Sequence, residues 1–197
     1  MRRLATLLLL APLTMAGAQK SFSTYHTTID PASVEDSLLS LPANGVRARA
    51  IRAYAQTDDR ATLLSAMRVA RTLPNSTDKA RLLEALAPRY LNSTDRTVYT
   101  AFFRVAHTVP SSEELRDLLI NVVPYAAKSD DIAIAILDAA RFVPSSPDRS
   151  EVLSTLIESG AVRTNEARAN FVDALQSIPG EQDRQRVARV AIKTVQD

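Results

Sequence analysis

Cysteine is missing from the chain altogether. That excludes a disulfide framework, a thiolate nucleophile, a zinc knuckle and a lipid-modified cysteine. Histidine occurs only at His26 and His107, too few for a zinc-type cluster. Glycine is nearly as scarce. Beyond Gly17 there are only Gly45, Gly160 and Gly180, which leaves nothing to build a phosphate-cradling loop. There is no Gly-x-Ser-x-Gly elbow, no P-loop and no Asp-x-Asp-x-Asp-Gly calcium loop. With these groups absent together, the expectation is a protein that is not an enzyme and needs no cofactor and no metal.

Long apolar runs are also lacking, with one exception at the start. Met1-Arg2-Arg3 is followed by an apolar run over residues 4–13 and then by Ala16-Gly17-Ala18. A charged n-region, a short h-region and a small-x-small site describe a secretory signal. The run is shorter than the ~20 residues that span a bilayer. The expectation is cleavage after residue 18 and a secreted or periplasmic product without a membrane span. Without Arg2 and Arg3 the 24 basic residues fall to 22, matching the 22 acidic ones. The precursor's pI near 9.1 is therefore no nucleic-acid signature, and no nucleic-acid partner is expected.

Residues 19–31 show no helical period and read as an extended leader. Beyond them one helical-repeat domain is expected over 32–197. Its ruler is proline: Pro42, Pro74, Pro110, Pro144 and Pro179 are 32, 36, 34 and 35 residues apart, each preceded by an aliphatic residue. Before four of these prolines, apolar residues form one stripe of a 3.6-residue helix. They are Ala66, Met67, Val69 and Ala70; Phe102, Phe103, Val105 and Ala106; Ile136, Leu137, Ala139 and Ala140; and Phe171, Val172, Ala174 and Leu175. After the prolines come turns rich in hydroxyl, amide and acidic groups, which cap a second helix. Its core positions are Leu82, Leu83 and Leu86; Leu118, Leu119 and Val122; Val152, Leu153 and Leu156; and Val187 and Val190. Thr57-Asp58-Asp59, Ser93-Thr94-Asp95, Ser129-Asp130-Asp131 and Thr164-Asn165-Glu166 cap the next first helices, so their paired acids read as capping groups.

The predicted helices are 33–41, 45–56, 60–73, 78–91, 97–109, 113–127, 132–143, 147–159, 165–178 and 182–195. A lone hairpin of ~35 residues buries too little surface to fold. Stacking on neighbours buries the apolar stripes, so the expected fold is all-α, an α-solenoid of about five stacked antiparallel hairpins. From about Asp30 onward this pattern resembles the helical-hairpin repeat families, tetratricopeptide and HEAT-type. Unit length matches the former, without its Trp, Leu-Gly and Tyr signature and with the proline after the first helix. The resemblance implies protein or peptide binding along a groove.

One surface pattern suggests a site. Six residues before the last four marker prolines stand Arg68, Arg104, Asp138 and Asp173, and three before stand Arg71, His107, Arg141 and Gln176. Stacking would align these ladders into a rim that is basic toward the N-terminal half. The rim reads either as a solvated polar face or as a docking site for an acidic ligand, with Arg68, Arg71, Arg104, His107 and Arg141 as candidate binding residues. The first functional expectation is an exported scaffold that binds a protein or peptide in its groove. The second is a binding protein for an anionic small molecule or polymer at Arg68, Arg71, Arg104 and His107.

Overall fold

The computed structural model describes residues 30–196, which form ten α-helices and no strand. They are α1 (Pro31–Ser40), α2 (Gly45–Tyr54), α3 (Arg60–Ala70), α4 (Ser76–Leu91), α5 (Arg96–Ala106), α6 (Ser112–Ala126), α7 (Asp130–Ala140), α8 (Ser146–Glu158), α9 (Asn165–Gln176) and α10 (Glu181–Gln196). The fold is all-α, as expected, and compatible with a helical-repeat architecture. The expected signal segment at 1–18, and the leader up to residue 29, lie outside the described residues.

Helix starts follow the caps read from the sequence. The side chains of Asp59, Asn75, Asp95, Ser111, Ser129, Ser145 and Thr164 each accept an N–H of the first turn that follows. Each such cap contributes about 1 kcal/mol. The first helix begins earlier than predicted and takes the end of the expected leader. Asp30 caps it, accepting the Ala32 N–H at 3.2 Å, and Pro31 fits a first-turn position, where its missing N–H costs nothing.

The odd-numbered helices end sooner than predicted. In α3, α5 and α7 the last helical residue, Ala70, Ala106 or Ala140, lies four before the proline. Proline disfavours the helical region for the residue before it. The chain therefore tightens first, through i→i−3 bonds from Leu73 to Ala70, Val109 to Ala106, Val143 to Ala140 and Ile178 to Leu175. Pro88 and Pro124 sit inside α4 and α6, where each deprives the preceding turn of one donor.

Helices α1, α3, α5 and α7 pack each on the next odd-numbered helix, and α2, α4, α6 and α8 each on the next even-numbered one. The predicted stripes fill the space between these two rows. Ala66, Met67, Phe102, Phe103, Ile136, Leu137, Leu83, Leu119 and Leu153 are all buried. Val172, expected in the core, is a correction: it is 48% exposed. Its counterparts Met67, Phe103 and Leu137 are buried, and the helices that carry them each pack on a following odd-numbered helix, which α9 lacks among the described residues.

Polar bonds link α4, α6, α8 and α10 in succession near their first turns. The Thr77 hydroxyl donates to Glu114 Oε1 (2.6 Å) and the Ser146 hydroxyl to Asp183 Oδ2 (2.7 Å). Ser112 Oγ accepts the Ser145 N–H and Ser146 Oγ the Gly180 N–H, at 3.0 and 3.1 Å. Cations add a second set, Arg47 and Lys79 buried and Arg149 partly so. Arg47 donates to Thr72 Oγ1 (3.0 Å), and Lys79 to both the carbonyl and the hydroxyl of Thr108 (3.0 Å each). Arg149 donates to the carbonyl and hydroxyl of Ser177. Burial, with the charge of Arg71 nearby, lowers the Lys79 pKa, which is the cost of placing an ammonium there.

Candidate functional site

The five candidate residues all lie on the odd-numbered helices or in the turns just after them, and the structure gives them different fates. Arg68 is committed to a partner. Its Nη2 lies 2.8 Å from Glu35 Oε2 on α1, and Ser65 donates to the same carboxylate oxygen at 2.9 Å. The Arg68 hydrogen bond, helped by Ser65, holds the Glu35 carboxyl below its ordinary pKa despite partial burial. Arg141 is shared between Asp138 and Asp173, each at 3.9 Å. Its Nε is buried without a hydrogen-bond partner.

His107 departs furthest from the expected rim. Its ring is half-buried and stacks on Phe142, with centroids 4.2 Å apart and planes 17° from parallel. Nε2 is buried and unpartnered. Burial pushes the His107 pKa down, and the carboxylate of Asp138 only partly opposes it. The neutral imidazole is therefore favoured, and His107 acts as an aromatic packing surface more than as a cation.

Arg71 and Arg104 are exposed, and neither makes an ion pair among the described residues. They face one groove between α3 and α5 of about 260 Å³, together with Arg68. Its floor is Leu64, Met67, Ala101 and Val105, and no carboxylate lines it. The next groove, between α5 and α7, holds about 210 Å³ and has a different character. Asp131, Asp138 and Glu166 oppose Arg96 and Arg104 there, over Tyr99, Phe103 and His107. The Tyr99 hydroxyl donates to Asp131 Oδ2 at 2.8 Å, and burial together with that carboxylate pushes its pKa up to about 12. Tyr99 therefore remains a neutral donor at physiological pH.

A larger cleft of about 530 Å³ opens between the C-terminal half of α4 and the turn before α3. Its charges, Arg89 and Asp58, are paired with each other. Among the described residues no group of three His, Cys, Asp or Glu side chains is placed to hold a metal, and no helix is long and apolar enough to cross a membrane.

The sequence ladders located Arg71 and Arg104 but not the apolar floor between them. Leu64 and Ala101 sit one helical turn away from the buried stripe, where apolar residues read as ordinary surface. Phe142 was also missed. It stands where Thr72, Thr108 and Ser177 stand before their prolines, and that odd member was visible in the sequence. Compared with known proteins, the chain matches no family model, no curated protein and no solved structure.

Proposed function

We propose that this chain is an exported, non-enzymatic α-solenoid scaffold that binds an extended peptide segment of a partner protein, one carrying acidic side chains beside apolar ones. The solenoid reading is supported by odd-on-odd and even-on-even packing, and by polar contacts that recur near successive marker prolines. The observation that carries the binding reading is the α3/α5 groove. Two arginines without ion-pair partners among the described residues flank an apolar floor that none of the described carboxylates lines. A guanidinium fork suits a carboxylate, and the floor takes the apolar neighbour. Export rests on the residues at 1–18 alone, and a mature N-terminus at Gln19 in the secreted or periplasmic fraction would test it.

The second expectation, a small anion or anionic polymer held by four cationic groups, has less support. Arg68 already serves Glu35, and His107 favours its neutral form. Salt separates the two readings, because ion-dominated binding weakens steeply with screening while an apolar floor resists it. The direct test is fluorescence anisotropy of labelled peptides that alternate glutamate with leucine, at two salt concentrations. Binding that falls at least tenfold in the Arg71→Glu, Arg104→Glu double variant, but survives raised salt in the parent, supports the scaffold. Binding unchanged in the double variant would sink it.

A further inference from the structure

The two ends of the helical stack carry unmatched halves of a contact that its interior completes. A cation five residues after one marker proline bonds a hydroxyl residue two before the next: Arg47 with Thr72, Lys79 with Thr108, Arg149 with Ser177. At the remaining interior junction both halves change together, to Leu115 and Phe142. The hydroxyls are held ready, since Thr72, Thr108 and Ser177 each donate to the carbonyl three residues back and keep lone pairs free.

Ser40, two residues before Pro42, is held in the same way by donating to the Ser37 carbonyl at 2.7 Å. No hairpin precedes it among the described residues. Arg184, five residues after Pro179, donates through Nη1 to the Ile178 carbonyl at 3.1 Å, much as Arg47 does to Leu41 and Arg149 to Val143, and its Nη2 pairs with Glu181 on the same helix, a partner those two lack. It has no following hydroxyl to reach among the described residues. Apolar side chains are exposed beside both halves. Val172 and Ile192 are 48% and 61% exposed at the α9/α10 end, and Leu39 and Val46 are 39% and 41% exposed at the α1/α2 end.

We propose that the α9/α10 end of one copy receives the α1/α2 end of a second copy. Arg184 then pairs with Ser40, and Leu39 and Val46 cover Val172 and Ile192. Such a head-to-tail contact uses two different surfaces, so it extends into rows or closes into a ring and does not form a two-fold dimer. It is weaker than an interior junction. Val46 stands where the acids Glu114 and Asp183 receive a hydroxyl from the preceding hairpin, so that bond has no counterpart. Association therefore depends on concentration.

Sedimentation of the mature chain over a concentration series tests the proposal. Growth beyond the dimer, or a closed ring, is expected, with Arg184→Gln raising the concentration for half-association about tenfold. Val172→Glu blocks one end and Leu39→Glu the other. Both side chains are exposed, and unchanged melting by circular dichroism verifies that each variant is folded. Each variant alone should be monomeric, and an equimolar mixture should form one-to-one pairs and nothing larger. Three outcomes overturn the proposal: a monomer at every concentration, association indifferent to both substitutions, or a mixture that stays monomeric.

Discussion

The first turns of the even-numbered helices and the outward faces of the odd-numbered ones are built from similar polar residues and use them differently. At the first set, hydroxyls, acids and a buried cation are spent on neighbouring segments of the chain: Thr77 on Glu114, Ser146 on Asp183, Lys79 on Thr108. At the second, Arg71 and Arg104 make no ion pair among the described residues and flank an apolar floor. Groups already matched within the fold have little left to offer a ligand. Unmatched charge beside an apolar groove has more.

Substitutions can break this contrast, and their expected effects fall in order. Lys79→Ala removes a buried donor and takes the ammonium away from the carbonyl and hydroxyl of Thr108, the hydroxyl keeping its bond to Val105. It should cost about 2–3 kcal/mol in denaturant unfolding while leaving peptide affinity of the folded protein unchanged. Ser146→Ala removes both the donor to Asp183 and the acceptor of the Gly180 N–H, with an expected loss of about 1 kcal/mol by the same measurement. Arg71→Ala and Arg104→Ala should each move stability by less than about 0.5 kcal/mol and yet weaken peptide binding. A large stability loss at either arginine would erase the contrast.

The smallest effect concerns pH. His107 has a folded pKa below the ordinary 6.5, so below that value the unfolded chain takes up a proton that the folded chain resists. Stability should begin to fall as pH drops through 6.5, earlier than the carboxylates act. The Glu35 and Asp148 pKa values are lowered too, so their contributions are present above the ordinary carboxylate range and disappear only at lower pH. His107→Gln should flatten the upper part of the profile, measured as melting temperature between about pH 7 and 5, and leave the acid limb in place.

All ten helices were legible in the sequence, because apolar period, caps and marker prolines all point to the same boundaries. The ends of α3, α5 and α7 were misplaced because a proline acts at a distance, tightening the turn before it. Val172 was misread for a different reason: its neighbours in sequence match those of Leu137, and what differs is the helix that lies across it. The site was half legible. Spacing aligned Arg68, Arg71, Arg104 and His107, but only packing shows that Glu35 occupies the first and Phe142 shelters the last. The cations at Arg47, Lys79, Arg149 and Arg184 had a sequence signal that the same count from the prolines would have exposed.

Tyr90 carries a practical consequence. The chain has no tryptophan, so its near-ultraviolet absorbance belongs mainly to its five tyrosines. Tyr90 is fully buried, with its phenol donating to the Leu63 carbonyl at 2.7 Å, and burial drives its ionisation far above the ordinary range. Forming that phenolate in place is opposed by its burial between α3 and α4, so separation of the two helices favours it. Tyr99 also ionises late, beside Asp131, so absorbance during a base titration of a Tyr99→Phe variant gives a built-in optical alarm for rupture at this seam, with no dye or label attached.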